Sequence, residues 1–133
     1  MTGDQAASAP EEVVEAIYRA WAEGRSARDW IAEDVEYVNP DDAIEPGVKR
    51  GREYFRKVRD VYDDFAVAPE RMVRVGDEDV VVIARLTGRA SGSGVGLDAR
   101  QGYIWTVRGG QVVRFRWFRE PEQALRAAGL DPD

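Results

Sequence analysis

Apolar residues at Val13, Ile17, Ala20 and Trp21 recur at helical spacing, which predicts a first helix that stops at Gly24. Ser8-Ala9-Pro10-Glu11, just ahead, has the spacing of a capping box. Ser26-Ala27-Arg28-Asp29 is a second capping signal and opens a short helix that presents Trp30 and Ile31, with Asp34 at its end. Polarity then alternates from Val35 to Asn39 as in a strand, until Pro40 and a polar loop from Asp41 to Gly47 end it. After Gly51, the residues Phe55, Val58, Val61, Tyr62 and Phe65 fall on one stripe of a further helix, with Arg, Lys and Asp opposite.

From Val67 onward the pattern becomes that of strands. Met72, Val73 and Val75 lead into the turn cluster Gly76 to Asp79, and a β-rich run follows from Val80 to Thr87. Ser91 to Gly96 is a loop tip. Tyr103, Trp105 and Val107 alternate up to Arg108-Gly109-Gly110, a short hairpin turn, and Val112 to Arg119 alternate again. Pro121 and Gly129 frame a last short helix over 121–128. Helices separated from a meander of about four antiparallel strands make an α+β domain. The expected layout is a flexible N-terminus over 1–9, one domain over 10–130 and a tail over 131–133.

Composition restricts the chemistry. The 133 residues include no histidine and no cysteine. There is then no disulfide, thiolate nucleophile, Ser-His or Cys-His pair, or imidazole-ligated zinc. Any acid-base work falls to Asp, Glu, Tyr, Lys, a water held by amides or a cofactor's own groups, and neither a cofactor nor a metal is expected. No apolar run is long enough to span a bilayer, and the N-terminus lacks a signal-peptide pattern, so the expected location is cytoplasmic. A net charge of -6 argues against nucleic acid and anionic membranes as partners. That charge is uneven. Residues 1–66 carry 9 basic and 16 acidic side chains (-7), whereas residues 67–119 carry 9 and 5 (+4). The arginine-rich stretch is either a set of solvated strand faces or, as the second choice, a pocket or interface for negative charge.

The ordered set of segments resembles the nuclear transport factor 2-like superfamily, in particular its SnoaL-like and ketosteroid-isomerase-like members. The resemblance runs from about Val13 to Gly129. It is carried by Trp21-Ala22-Glu23-Gly24, by Ile31 to Pro40, by Gly51-Arg52-Glu53, by Tyr103 to Val113 and by Ala124 to Leu130. It implies a curved sheet wrapped by about three helices into a cone, with a pocket inside and homodimerisation through the sheet. The fold alone does not imply a reaction, because it serves isomerases, cyclases, hydrolases and non-catalytic binding domains.

The family's catalytic groups carry over only in part. Ketosteroid-isomerase-like members place an Asp base before the Pro that ends the first strand, where this chain has Asn39, and an amide takes no proton at ordinary pH. In the reference ketosteroid isomerase a tyrosine and a protonated aspartate form the oxyanion hole. Those positions fall at about Ile17, next to Tyr18, and near Tyr103. Limonene-epoxide-hydrolase-like members hold water with a tyrosine and an asparagine two residues apart, a spacing that Tyr37 and Asn39 match. Their arginine falls at about Arg85, but Thr87 and Trp117 stand where the flanking aspartates belong.

The candidate catalytic residues are therefore Tyr37, Asn39 and Arg85. Tyr37 and Asn39 could equally be a core tyrosine and a strand-end cap. Arg85 shares a strand face with Val81, Ile83, Thr87 and Arg89. Facing inward it would suit an enolate, carboxylate or phosphate. The cost of burying an arginine without a carboxylate favours the outward reading. Trp21, Tyr103, Trp105, Phe115, Trp117 and Arg119 are the substrate-binding candidates, an aromatic lining with a cation near its mouth; packing is the competing role, above all for Trp105 and Phe115. The expected ligand is a small, largely apolar, oxygenated metabolite. Isomerisation, cyclisation or water addition without a cofactor is the expected chemistry, and a non-catalytic binding or dimeric interaction module is the alternative.

Overall fold

The computed structural model describes residues 9–131, so the Ser8 cap lies outside the described residues, as does the side chain of Val58. Helix α1 (Pro10–Ala22) has Pro at its first position, and the Ala9 N–H donates to Glu12 Oε1 at 2.9 Å. Its buried stripe is Val13, Val14, Ile17, Tyr18 and Ala20, while Trp21 is half-buried. The second capping signal yields only a 3-10 turn over Arg28–Trp30, where the Arg28 N–H donates to Ser26 Oγ. Ile31 and Asp34 already belong to strand β1 (Ile31–Asn39), which buries Ile31, Val35 and Tyr37.

Strand β2 (Gly47–Arg50) pairs with β1, and helix α2 (Glu53–Asp60) follows. The predicted helix stripe is cut short, because Tyr62 and Phe65 lie in strand β3 (Tyr62–Val75). An apolar residue every third or fourth position reads as helix locally, but pairing with β4 (Asp79–Ala90) satisfies the backbone and overrides that reading. Strands β5 (Gly96–Arg108) and β6 (Gln111–Phe118) complete the meander. The two-residue turn between them needs positive φ twice, supplied by Gly109 at 61° and Gly110 at 81°.

The six strands form one curved sheet in the order β2-β1-β6-β5-β4-β3. All neighbours are antiparallel except β1 and β6, which run parallel. The whole meander separates these two strands, so no hairpin sets their direction. Register shifts in β3, β1 and β6 bend the sheet around its inner face. Helices α1 and α2 cover that face, over a core that includes Val80, Val82, Ala84, Leu86, Trp105 and Phe115. Helix α3 (Pro121–Ala127) covers part of the outer face, where Ala124 and Leu125 pack on Val81, Ile83 and Ile104. Gly102 is required there, since a Cβ on it would stand 2.5 Å from Ala124 Cβ. This is the α+β fold that the segment order implied. None of the described helices is long and apolar enough to cross a membrane.

Candidate functional site

The concave face of the sheet, with α1 and α2 over it, lines a cavity of about 1400 Å³ that opens to solvent. Phe55, brought down from α2, stacks on Trp105 at 5.7 Å with planes 7° apart. It also meets Tyr37 at 5.0 Å and Phe115 at 4.9 Å. Trp105 and Phe115 form an edge contact at 4.5 Å, and Tyr103 adjoins Phe115 at 5.2 Å. Each such pair contributes about 0.5–1.5 kcal/mol beyond its buried area. The aromatic floor is thus part of the core and of the cavity wall at once.

Of the residues singled out in the sequence, Trp21, Tyr37, Asn39, Tyr103, Trp105, Phe115 and Trp117 line this one cavity. Alternation explains it, because Tyr37 and Asn39 share a face of β1, and Tyr103 and Trp105 share a face of β5. Two candidates fall elsewhere. Arg85 stands on the outer face, 48% exposed, with Nε and Nη2 donating to the two carboxylate oxygens of Asp98 at 2.8 and 2.7 Å. The inward reading of Arg85 is thereby corrected: Ala84 and Leu86 take the inner face, and Asp98, two residues before Arg85's cross-strand neighbour Arg100, supplies the carboxylate. Arg119 is not in the lining either. Its guanidinium lies 3.4 Å from the Asp42 carboxylate and 5.7 Å from the Trp117 ring centroid.

Asn39 is engaged as a strand-end clasp. Its Nδ2 donates to the Glu45 carbonyl at 2.8 Å, and its Oδ1 accepts from Trp117 Nε1 at 2.7 Å. The Tyr37 phenol, by contrast, makes no hydrogen bond to another described residue, although the residue is only 7% exposed. Burial raises its pKa and leaves it a neutral donor. Tyr103 is raised by burial and then by the neighbouring Tyr37 phenol, and its hydroxyl donates to Gln101 Oε1 at 3.1 Å.

Tyr18 is the residue that sequence reasoning passed over. Its hydroxyl accepts from Trp105 Nε1 at 3.2 Å, and burial lifts its pKa well above the ordinary value, with Tyr103 adding to the rise. The signal was present, since Tyr18 follows Ile17 at the family's tyrosine position, but helical phase alone does not say which neighbour faces the sheet. Gln101 and Tyr54 also line the cavity without having been singled out.

The lining carboxylates are Glu15, Glu45 and Glu70, all exposed. Glu70 is taken by Arg100 at 2.6 Å, and Glu45 lies 3.6 Å from Lys49. The phenols can donate to a developing oxyanion, but no buried carboxylate among the described lining residues is placed to remove a proton. Among the described residues no group of three or more acidic side chains is arranged to hold a metal ion.

Comparison with known proteins agrees with this architecture. An NTF2-like protein of unknown function from Burkholderia pseudomallei superposes with a TM-score of 0.70 at 21% identity, covering 90% of this chain and 96% of its own. A hypothetical protein with a ketosteroid isomerase-like fold from Catenulispora acidiphila gives 0.66 at 21% identity, covering 95% and 98%. A putative SnoaL-like polyketide cyclase from Jannaschia sp. gives 0.66 at 21% identity, covering 92% and 93%. No curated protein matches the chain. The family model described as SnoaL-like domain matches residues 14–115, from the inward face of α1 to the aromatic floor on β6, and on that match the chain belongs to the SnoaL-like domain family.

Proposed function

We propose that this SnoaL-like domain binds a small, largely apolar, oxygenated metabolite in the aromatic cavity and polarises a ligand carbonyl through Tyr37 and through Tyr103, whose hydroxyl turns from Gln101 to the ligand. The observation that carries the reading is a pair of buried phenols, Tyr37 and Tyr103, that line the aromatic cavity, the first with no side-chain hydrogen bond to another described residue. A buried phenol gives a stronger hydrogen bond to an oxyanion than to a ground-state carbonyl. The chemistry that suits this arrangement is cofactor-free isomerisation, cyclisation or water addition on a substrate that is itself acidic. The Jannaschia neighbour, as a putative polyketide cyclase, is in keeping with a cyclic oxygenated ligand. A non-catalytic binding role is favoured by one specific observation, that the amide of Asn39 is already spent on Trp117 and Glu45.

Titration with a hydroxylated anthraquinone, followed by tryptophan fluorescence, tests the reading. Tyr37→Phe is expected to weaken binding about five- to tenfold, the value of one hydrogen bond of about 1–1.4 kcal/mol, and Tyr103→Phe less, because its proton trades Gln101 for the ligand. Unchanged affinity in both variants would overturn the role of the phenols. Product formation by the wild type, lost in the same variants, separates catalysis from binding. Homodimerisation through the sheet belongs to the same proposal, and sedimentation velocity that finds only monomer at high concentration would sink it.

A further inference from the structure

Six of the nine basic residues in 67–119 hold carboxylates: Arg74, Arg85, Arg100, Arg108, Arg114 and Arg119. The acidic half of the chain behaves in the opposite way. Arg19, Arg28, Arg52, Arg56, Lys57 and Arg59 have no carboxylate within ion-pair distance among the described residues.

These unpaired cations are not scattered. Arg28, Arg52, Arg56 and Arg59 line a second, polar hollow of about 390 Å³ between the 3-10 turn and α2, and Arg59 and Trp21 belong to its wall and to the aromatic cavity alike. The Arg59 guanidinium sits 5.6 Å from the Trp21 ring centroid. Arg52 is partly buried, and its Nε donates to the Ile31 carbonyl at 2.8 Å, which fixes the guanidinium and leaves its other N–H groups for the hollow. Ser26 Oγ accepts from the Arg28 N–H, so its own proton is available to a ligand. Two carboxylates, Glu33 and Glu53, also border the hollow, so four arginines face two glutamates.

Four guanidiniums around one hollow repel one another, and the two bordering glutamates do not compensate all of them. An oxyanion would, through the planar forks that arginine presents. We propose that the hollow is an anion subsite, and that the ligand of the aromatic cavity is an acidic metabolite whose carboxylate or phosphate monoester passes the Trp21–Arg59 edge and is held by Arg28, Arg52 and Arg56. This rests on the proposed binding role of the cavity and adds the charge class of the ligand.

The test uses three probes with one apolar body: 1-pyrenebutanol, 1-pyrenebutyrate and 1-pyrenebutyl phosphate, titrated by pyrene fluorescence. Both acids are expected to bind at least fivefold more tightly than the alcohol in about 20 mM salt. The advantage should shrink in about 300 mM salt, where the Debye length is shorter than at 20 mM. Which acid gains more tells carboxylate from phosphate as the better occupant. The double variant Arg28→Gln with Arg56→Gln changes only exposed side chains, so the fold should persist. It should remove the preference for the acids and leave the alcohol's affinity unchanged. Equal binding of acid and alcohol by the wild type, or a preference that survives in the double variant, overturns the subsite while the cavity stands. If none of the three binds, the cavity reading fails and the subsite fails with it.

Discussion

The arginines of the strands and those of the helical side differ in one respect: the first mostly sit in a ladder of carboxylates and the second mostly do not. On the outer face Arg85 and Arg100 are direct cross-strand neighbours, a repulsive arrangement that Asp98 and Glu70 offset from either side. Glu36 likewise bridges Arg114 on β6 and Arg50 on β2 at 2.8 and 3.1 Å. These four arginines are therefore satisfied within the sheet, whereas Arg116 on β6 keeps a buried Nε without a hydrogen-bond partner among the described residues. Around the openings of the cavity and the hollow, Arg28, Arg56 and Arg59 are left to solvent or to a ligand. The net charge of a segment therefore says little about where an anion would bind. What counts is whether each cation already has its counter-ion.

The comparison can be broken most sharply where the two sides of the sheet carry stability. Trp105 is 1% exposed and joins four aromatic neighbours with Tyr18. Trp105→Ala should cost about 3–5 kcal/mol in urea unfolding, as cavity-forming core truncations do. A loss below about 1 kcal/mol would mean that the aromatic floor is lining and not core.

The alkaline limb is the next test. Burial raises the phenols Tyr18, Tyr37 and Tyr103, so the unfolded chain ionises first as pH rises. Stability from these groups is complete below their unfolded value of about 10 and is lost above it. A melting temperature that falls steeply above that pH, and less steeply in Tyr18→Phe, is the expected result; superimposable curves would contradict the buried, neutral phenols.

Asn39→Asp should follow, at about 1–3 kcal/mol, because a carboxylate would face the Glu45 carbonyl in place of an N–H donor. Thermal melts measure it, and a fully stable variant would show that the clasp to the 41–47 loop is dispensable. It also follows that inserting the family's aspartate at this position disturbs the site's architecture before it restores any base.

The smallest effect belongs to the outer ladder. Arg85→Ala should leave the unfolding midpoint nearly unchanged, since the pair with Asp98 is solvent-exposed and screened. Hydrogen bonds from arginines hold Glu36, Glu70, Glu78 and Asp98 below the ordinary carboxylate range. Their contribution is therefore present at neutral pH and is lost as pH falls through and below about 4. The Arg28 and Arg56 variants should leave that acid limb unchanged, and a shift there would place those arginines in the ladder after all.

Much of the architecture was legible in the chain. The α1 stripe, the Gly109-Gly110 turn, the Pro121 helix, the β-rich run from Val80 and the alternation from Tyr103 and from Val112 are local patterns, and each falls within the element it predicts, although β5 begins well before Tyr103, at Gly96. The tyrosine-asparagine pair on β1 was legible as a pair because period-two alternation puts both side chains on one face. The 3-10 turn, strand β2 and the early start of β3 were not, since four residues of β2 carry no pattern of their own and Tyr62 and Phe65 obtain their strand only from β4.

By itself the sequence determined what the site cannot contain, imidazole and thiolate, and the family of folds in which any site must lie. Only the tertiary structure decided which groups meet. It turned Arg85 outward to Asp98, engaged Asn39 between Trp117 and Glu45, and left the Tyr37 phenol without a partner among the described residues. It also separated the compensated arginines from the uncompensated ones. The physical reason is common to all of these. Residue type and spacing set a side chain's direction on its own element, whereas its partner comes from an element tens of residues away, and a charge or a hydrogen-bond donor acquires its role only from that partner.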